Sequence, residues 1–233
     1  MKAQAEIGFE KNGSAAVLLS GGQDSTTCLY WAMQNFEHVT ALTFDYGQRH
    51  RSEIEAAHRI AMHANIPWIG AKVVLPEFIP SALTNTMDTP ISSQHPNAPQ
   101  LPASFVPGRN IILMTLAAAW CWSQKPKVNC LVSGVCETDY SGYPDCRSIT
   151  VQAVRQAIRL GLDFDSFHII TPLMFLSKRE SVELASELPG CMEALALSQT
   201  CYEGKRPPCG TCPACKIRAR GFEEAGIKDP IYV

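Results

Sequence analysis

An apolar run followed by a glycine-rich turn and a helix constrains the fold of this chain most strongly. The run is AAVLL at positions 15–19, the turn SGGQDS begins at Ser20, and positions 24–34 contain neither glycine nor proline. A short, continuous apolar run suits a strand that is buried on both faces, as in a parallel sheet. The segment therefore predicts a strand, a loop and a helix in direct succession, which is how a βαβ unit begins.

The alternation of strand and helix continues along the chain. We predict further strands at positions 39–44, 68–75, 128–134 and 167–171, and further helices at positions 51–64, 110–123, 149–160 and 178–188. Alternating elements of this kind are typical of an α/β fold with a parallel sheet and right-handed crossovers.

The segment from Pro76 to Pro107 interrupts this alternation, because it holds seven of the sixteen prolines together with many Ser, Thr, Asn and Gln residues. A loop of this length inside a compact domain is usually either functional or disordered. A mobile substrate loop and a passive insertion both fit, and we favour the substrate loop.

The turn after the first predicted strand has the chemistry of a phosphate site. Gly21 and Gly22 let the backbone approach an anion, and the start of the following helix offers free N–H groups. The chain has neither G-x-x-x-x-G-K-[ST] nor G-x-G-x-x-G at this place, which excludes the two better-known phosphate loops. Asp24 would repel phosphate unless Mg²⁺ lay between them. The alternative is a tight turn in which Asp24 or Ser25 caps the helix.

Four of the ten cysteines lie close together near the C-terminus, at Cys201, Cys209, Cys212 and Cys215. Four thiolates complete a tetrahedral structural zinc site and leave no open position for catalysis. Redox or persulfide chemistry at a C-x-x-C pair and an iron–sulfur cluster are the alternatives. The N-terminal segment lacks the apolar core of a signal peptide. We therefore expect a cytoplasmic protein whose cysteines serve a metal rather than disulfides.

Charge limits the partners of this chain. Its formal net charge is −2, from 20 basic and 22 acidic residues, which argues against a basic nucleic-acid sleeve. The longest apolar stretch, at positions 111–122, is too short to span a bilayer. We expect small-molecule substrates, no direct nucleic-acid partner and no membrane. Basic residues around the cysteines are interpreted first as a solvated helix face, then as phosphate contacts and last as an RNA contact: Lys205, Arg206, Lys216, Arg218 and Arg220.

The loop SGGQDS resembles the SGGxDS signature of the ATP pyrophosphatases, a superfamily with a Rossmann-like fold that cleaves ATP between its α and β phosphates. Other segments narrow the resemblance to the 7-cyano-7-deazaguanine synthase family of queuosine biosynthesis, from about position 15 to position 226. They are FDYGQRH at 44–50, FVPGRN at 105–110, GVCETDYSGYPDCR at 134–147, and TPL at 171–173 with Ser177 and Lys178.

This resemblance implies a carbon–nitrogen ligase that converts 7-carboxy-7-deazaguanine, ATP and free ammonia to 7-cyano-7-deazaguanine through an adenylylated carboxylate and an amide. It implies ATP as a substrate, Mg²⁺, a structural Zn²⁺ and a homodimer. The fold class becomes α/β, with a Rossmann-like parallel sheet, helices on both faces and a C-terminal zinc-binding segment. We divide the chain into a nucleotide-binding domain at 1–190 and a four-cysteine segment at 191–233, packed together as one unit. A sulfur-transfer enzyme that thiolates tRNA and a non-enzymatic nucleotide sensor are the competing functions.

The resemblance also implies roles for individual residues. ATP would be held by Leu19, Ser20, Gly21, Gly22, Gln23, Asp24, Ser25, Thr26, Thr27, Cys28 and Leu29. The catalytic candidates are Asp24 and Ser25 in that loop, with Arg109 and Lys178 neutralising phosphate charge. For Arg109 a surface ion pair, and for Lys178 a solvated helix start, fit the sequence as well as these catalytic roles do. The substrate candidates, for which a solvated acidic loop is the alternative, are Asp45, Gln48, Arg49, Glu137, Asp139, Tyr143, Asp145 and Arg147. Zinc would be bound by the four clustered cysteines.

Overall fold

The computed structural model describes residues 13–48, 51–75, 79, 81–84, 90, 93–138 and 142–232. The strands are β1 (Ser14–Leu18), β2 (His38–Asp45), β3 (Trp68–Lys72), β4 (Gln94–His95), β5 (Ala98–Pro102), β6 (Cys130–Val132) and β7 (His168–Ile170). The helices are α1 (Gln23–Asn35), α2 (Ser52–His63), α3 (Arg109–Ser123), α4 (Ser148–Gly161), α5 (Lys178–Glu187), α6 (Cys191–Leu197) and α7 (Pro213–Ala225). Single 3₁₀ turns lie at Pro144–Cys146 and Pro230–Tyr232.

Five strands form one parallel sheet in the order β3-β2-β1-β6-β7. The chain first adds strands on one side of β1 and then crosses to the other side, so the order reverses between β1 and β6. Ligands of open α/β sheets bind at the carboxyl ends of the strands beside such a reversal. The predicted Rossmann-like parallel sheet is confirmed.

The sheet is covered by helices on both faces, as predicted, because side chains alternate along its buried strands. Ala15 and Val17 of β1 point into the core with α1, α2, α5, α6 and α7, whereas Ala16 points into the core with α3 and α4. The same alternation occurs in β6, where Val132 lies in the first core and Leu131 in the second. A strand that is buried on both faces has no solvent-exposed face that would carry polar residues. Its sequence is therefore a continuous apolar run.

The proline-rich segment contains more regular structure than its composition indicates. β4 and β5 pair as an antiparallel hairpin, and the Ala103 N–H continues the pairing by donating to the Ser93 carbonyl at 2.7 Å. Ala82 and Ala103 are fully buried and pack against Tyr202. The prediction of an irregular stretch is therefore wrong for positions 94–102. Prolines at the ends of an edge strand do not prevent pairing, and their density concealed this short hairpin.

Two helices near the C-terminus, α6 and α7, were not predicted. α6 packs against α1 and α2, and α7 packs along α5. Arg218 of α7 is buried, and its guanidinium donates to Asp229 at 2.7 Å and to Ser198 Oγ at 2.7 Å. The interpretation of the basic cluster as a solvated helix face is therefore wrong for Arg218, which joins α7 to the segments before and after it. No helix in the described part of the chain is long and apolar enough to cross a membrane.

Candidate active site

A cavity of about 320 Å³ lies at the carboxyl edge of the sheet. Its walls are formed by the segments that follow β1, β2 and β6, together with the starts of α2, α3 and α5 and the connection between α6 and α7. This volume falls at the lower end of the range for ligand pockets, about 300–1,000 Å³. The polar and aromatic lining residues most relevant to chemistry are Ser20, Gly22, Gln23, Asp24, Ser25, Tyr46, Gln48, Glu53, Arg109, Asn110, Tyr143, Lys178, Gln199 and Tyr202.

The glycine-rich loop forms one wall and is held by its own side chains. The Ser20 N–H donates to Ser25 Oγ at 3.2 Å, the Gly22 N–H donates to Ser20 Oγ at 3.3 Å, and Ser25 Oγ donates to the Gly22 carbonyl at 3.1 Å. These bonds curl the loop over the start of α1, where free N–H groups and the helix dipole favour an anion. Deeper residues of the predicted set are buried in α1: Thr26 and Thr27 donate to carbonyls of the preceding turn, and Cys28 lies against Ser133.

Gly21 is required by both the backbone and the packing of this loop. Its φ is +85°, in the left-handed region that non-glycine residues avoid. A Cβ at this position would lie 2.2 Å from the Glu53 carbonyl oxygen of α2. The loop also contacts the C-terminal segment, because the Gln199 N–H donates to the Gly21 carbonyl at 2.8 Å.

Gly21→Ala is expected to lower the free energy of unfolding by about 2–4 kcal/mol, from left-handed strain and the clash with α2. It should also raise the KM for ATP, since the loop must shift. Urea denaturation and steady-state kinetics measure the two effects. Gly47→Ala is the matched control, because Gly47 has a φ of +83° and a methyl group added there would meet no atom within 4 Å. Equal destabilisation by both variants would contradict the packing argument.

The backbone that follows β6 also lies very close to the glycine-rich loop. A Cβ on Gly134 would lie 2.9 Å from the Ser25 backbone nitrogen. The absence of a side chain at Gly134 therefore lets the backbone after β6 lie directly against the first turn of α1. This contact places Ser133, Gly134 and Val135 in the cavity wall beside the loop.

Asp24 and Lys178 form an ion pair across the cavity wall. Lys178 Nζ donates to both carboxylate oxygens of Asp24 at 2.8 Å, and the side chains of Lys178 and Asp24 are 8% and 25% exposed respectively. Lys178 begins α5, which is fixed by a capping box between Ser177 and Glu180. Gly221 of α7 permits this position, since a Cβ there would lie 2.4 Å from Lys178 Cγ. The predicted candidates Asp24 and Lys178 are thus brought together, although 154 residues separate them.

Arg109 lies in the same cavity, at the start of α3. Its Nη1 donates to the Tyr46 hydroxyl at 3.2 Å, and its guanidinium carbon lies 5.6 Å from the centre of the Tyr46 ring. Burial lowers the pKa of Arg109, but Tyr46, Asp145 and Tyr143 more than offset burial and raise the pKa above its ordinary value. Arg109 therefore carries a permanent positive charge into the cavity.

The predicted substrate residues fall into three groups. Gln48 and Tyr143 line the cavity, and the Tyr143 hydroxyl is hydrogen-bonded to Ser104 Oγ at 2.7 Å. The structure places the following four outside the cavity lining: Asp45, Glu137, Asp145 and Arg147. Arg49 and Asp139 lie outside the described residues.

Three of the four outlying residues have local structural roles. Asp45 Oδ1 accepts from the Gly47 N–H at 3.1 Å, which closes the turn after β2. Glu137 accepts from the Ser148 N–H at 3.1 Å at the start of α4, and Asp145 accepts from the Asn110 N–H at 3.0 Å at the start of α3. Carboxylates at helix starts satisfy free N–H groups. Their assignment to substrate stays a prediction without support from these contacts.

Sequence reasoning missed several cavity residues, of which Glu53, Tyr46 and Tyr202 stand out. Glu53 lies in the first turn of α2, where an acidic residue is expected on helix-dipole grounds alone. Tyr202 directly follows Cys201 and has no signal of its own in the sequence. Tyr46 belongs to the FDYGQRH segment. Its position between the predicted substrate residues Asp45 and Gln48 is the one sequence feature that could have identified it as a cavity residue.

The four clustered cysteines are brought to one point. Their sulfur atoms all lie within 4.8 Å of one another, with 3.9 Å between Cys209 Sγ and Cys215 Sγ. Hydrogen bonds from Thr211 and from the Cys212 N–H lower the pKa of Cys209 to about 5, which favours the thiolate that metals require. Burial raises the pKa of Cys212 and of Cys215, whereas their positions at the N-cap and in the first turn of α7 let the helix dipole favour negative charge. Four converging sulfurs fit a metal ion that is held structurally.

A parallel sheet with a glycine-rich loop at its reversal, and with Lys178 paired to Asp24 of that loop, is typical of an α/β protein that binds a nucleotide or another phosphate ligand. Comparison with known proteins gives the family. The model for queuosine biosynthesis protein QueC matches residues 14–226, and the chain belongs to this family.

Two curated relatives carry the same name. The chain is 49% identical over 221 residues to the 7-cyano-7-deazaguanine synthase of Laribacter hongkongensis, covering 93% of both chains. It is 42% identical over 216 residues to that of Lysinibacillus sphaericus, covering 92% of this chain and 96% of the relative. Among solved structures, a predicted subunit of tRNA methyltransferase from Methanocaldococcus jannaschii shares 16% identity, with a TM-score of 0.48 and 75% of each chain covered.

Proposed function

We propose that this protein is an ATP-dependent carbon–nitrogen ligase that converts 7-carboxy-7-deazaguanine and ammonia to 7-cyano-7-deazaguanine. The observation that carries the proposal is a cavity in which the glycine-rich loop, Arg109 and three tyrosines, Tyr46, Tyr143 and Tyr202, line the walls together. The loop suits the pyrophosphate of ATP, and the tyrosines suit a flat heterocycle. Membership of the queuosine biosynthesis family and the names of the relatives support this substrate class.

The chemistry explains why a nucleotide and a heterocycle should share one cavity. A carboxylate is a poor electrophile, so its oxygen first attacks the α-phosphorus of ATP and pyrophosphate leaves. Ammonia then displaces AMP and gives the amide. The amide oxygen is activated by a second ATP in the same way, and loss of that oxygen as AMP, with loss of the N–H protons, gives the nitrile. One site serves both steps, because each step transfers an adenylyl group to an oxygen on the same carbon.

The chain's own residues would bind and orient the reactants. N–H groups of the loop and the hydroxyls of Ser20 and Ser25 would donate to the departing pyrophosphate, and Lys178 and Arg109 would offset its charge. The Gln23 side chain is 4% exposed, lines the cavity, and its Nε2 has no hydrogen-bond partner among the described residues. A buried amide of this kind is expected to find a partner, and a phosphate oxygen would provide one.

Mg²⁺ fits the loop through Asp24. Magnesium in nucleotide sites is usually held by one or two carboxylates together with the phosphates, and a carboxylate has enough lone pairs to accept from Lys178 and also bind a cation. When bound, the ion would supply charge neutralisation at the phosphates. Zn²⁺ fits Cys201, Cys209, Cys212 and Cys215 and would hold the C-terminal segment without taking part in the chemistry.

The direct test mixes the protein with MgATP, ammonium and 7-carboxy-7-deazaguanine. Mass spectrometry should detect the nitrile, with two AMP formed per nitrile and no ADP. Formation of ADP, or binding of ATP with no AMP release in the presence of all substrates, would refute the ligase assignment. Thiolated tRNA in a parallel reaction with a sulfur donor would favour the sulfur-transfer alternative instead.

We place the protein in the cytoplasm, where thiols remain reduced, and we assign it a homodimer. Large apolar side chains are exposed on α3 and α4, which pack side by side: Ile111, Leu116, Trp122, Ile149 and Leu160. Sedimentation velocity at micromolar concentration is expected to give twice the chain mass of 25.5 kDa. Leu160→Glu should shift the population towards the monomer, because it places a charge on this face, and a wild-type monomer would contradict the dimer.

A further inference from the structure

Glu53 is the carboxylate in the cavity that the phosphate chemistry does not use. It lies in the first turn of α2 and is partly buried. Among the described residues that line the cavity, Asp24 is the only other acidic residue. Asp24 is held by Lys178 at the phosphate loop. No hydrogen bond, and no salt bridge within 4.0 Å, links the Glu53 carboxylate to another residue of the described ranges. A partly buried acceptor with this setting is suited to a ligand.

The surroundings of Glu53 are aromatic and cationic. Burial raises the pKa of Glu53 to about 7, although the charge of Arg109 acts in the opposite direction. Glu53 also contributes to raising the pKa of Tyr46 and of Tyr202, for each of which burial is the larger cause. Glu53, Tyr46, Tyr202 and Arg109 all line the same cavity. Tyrosine rings offer flat surfaces against which a heterocycle can pack.

The position of Glu53 is fixed by its backbone. Its carbonyl lies against Gly21, where a Cβ would approach it to 2.2 Å. Tyr202 is fixed from the other side by packing on Ala82 and Ala103. A side chain used for recognition needs this kind of rigid support.

We infer that Glu53 is the specificity-determining residue that accepts hydrogen bonds from the guanine-type edge of the substrate. This inference rests on the proposed function. The edge carries a ring N–H and a 2-amino group side by side, which match the two oxygens of one carboxylate. Adenine presents one donor beside one acceptor, and an amide side chain satisfies that pair better than a carboxylate does. Glu53 therefore matches the deazaguanine edge better than the adenine of ATP.

The loop carboxylates that the sequence assigned to substrate do not compete for this role. Glu137 and Asp145 accept from N–H groups at the starts of α4 and α3. Neither lines the cavity. The acceptor that a deazaguanine needs is instead supplied by α2, from the other side of the sheet edge.

The test compares two ligands with Glu53→Gln. One ligand is 7-carboxy-7-deazaguanine and the other is its analogue without the 2-amino group, each titrated calorimetrically in the presence of the non-cleavable α,β-methylene analogue of ATP. At pH 8.5, above the pKa of Glu53 of about 7, the wild type is expected to bind the amino compound about 10–100-fold more tightly, because the analogue lacks one of the two donors to the carboxylate. Glu53→Gln should reduce this ratio to about 1, mainly by weakening the amino compound. Its affinity for the ATP analogue should stay within about twofold, because no contact with ATP is lost.

Two controls make the result decisive. Glu55→Gln changes an exposed carboxylate on the same helix and should leave the ratio unchanged. Glu53→Asp retains both oxygens one carbon further away and should keep part of the ratio. A Glu53→Gln protein whose affinities for the two ligands fall by the same factor, so that their ratio stays at the wild-type value, would overturn the inference, and so would a loss of affinity for the ATP analogue instead. Binding with the expected ratio but without nitrile formation by the wild type would reject the proposed reaction while retaining the role of Glu53.

Discussion

Asp24→Asn is expected to reduce the rate of AMP formation about 10³-fold, which is the size of effect seen when one preorganised charge is removed from an active site. Asparagine has nearly the same shape but lacks the negative charge that holds Lys178 Nζ at 2.8 Å from both oxygens. Without this charge, Lys178 would no longer be held in position to contact the phosphates. The variant would also lack the carboxylate that Mg²⁺ would require. The KM for the deazaguanine should change much less, because Asp24 lies on the phosphate side of the cavity.

The same variant is expected to lower the free energy of unfolding by only about 1–3 kcal/mol. Breaking a fully buried pair costs about 3–5 kcal/mol, whereas an exposed pair contributes about 0–1 kcal/mol. Asp24 is 25% exposed and Lys178 is 8% exposed, so the pair lies between these limits. The protein should therefore remain folded at assay temperature, and circular dichroism melting checks this.

Exchange of labelled pyrophosphate into ATP isolates the first chemical step and should fall together with AMP formation. Arg179→Gln provides the matched control on the same helix, since Arg179 pairs with Glu183 at 2.7 Å but is exposed. That variant is expected to retain activity and to change stability by less than about 0.5 kcal/mol. An Asp24→Asn protein within threefold of the wild-type exchange rate would contradict the catalytic assignment.

The parts of the fold that follow from local chemistry were predictable. The run at positions 15–19 and the glycine pair after it identified β1, the phosphate loop and α1 without any long-range information. β6 and β7 were predicted longer than they are, because a buried apolar residue lies just before each strand, Val128 before β6 and Phe167 before β7. The hairpin of β4 and β5 was missed because prolines at positions 96, 99 and 102 dominate its composition. The helix α7 was missed because its first turn overlaps the cysteine cluster, which drew the interpretation to a metal site. The stability of both elements comes from packing and from the convergence of side chains.

The candidate site shows the same division. Asp24, Lys178 and Arg109 were identifiable from motifs, because each stands at the start of a helix next to a recognisable segment. The acidic loop after β6 was assigned to substrate because its composition suits a deazaguanine. Composition does not distinguish a carboxylate that binds a ligand from one that accepts from a helix N–H, as Glu137 and Asp145 do. Glu53 was missed for the opposite reason, since its sequence position is ordinary and only the fold brings it into the cavity.

Replacement of a proposed metal ligand should have the largest effect on stability. Cys215→Ser is expected to lower the free energy of unfolding by about 3–5 kcal/mol and to abolish binding of zinc, because metal affinity in such sites is coupled to folding. Cys215 is buried in the first turn of α7, with its sulfur 3.9 Å from that of Cys209. Loss of the metal should also raise the KM for ATP, since Gln199, just before Cys201, holds the phosphate loop through the Gly21 carbonyl.

Cys121→Ala is the matched control, because Cys121 is fully buried in the second core and lies on α3. It should cost about 1–2 kcal/mol through lost packing and should leave the zinc content at one per chain. A strong chelator should lower the melting temperature of the wild type and of Cys121→Ala by similar amounts, and should not lower that of Cys215→Ser further. Elemental analysis and melting curves measure these outcomes. A visible absorption band near 400 nm in the purified protein would show that the cysteines hold an iron–sulfur cluster and not zinc. A Cys215→Ser protein with full zinc content would show that Cys215 is not a zinc ligand.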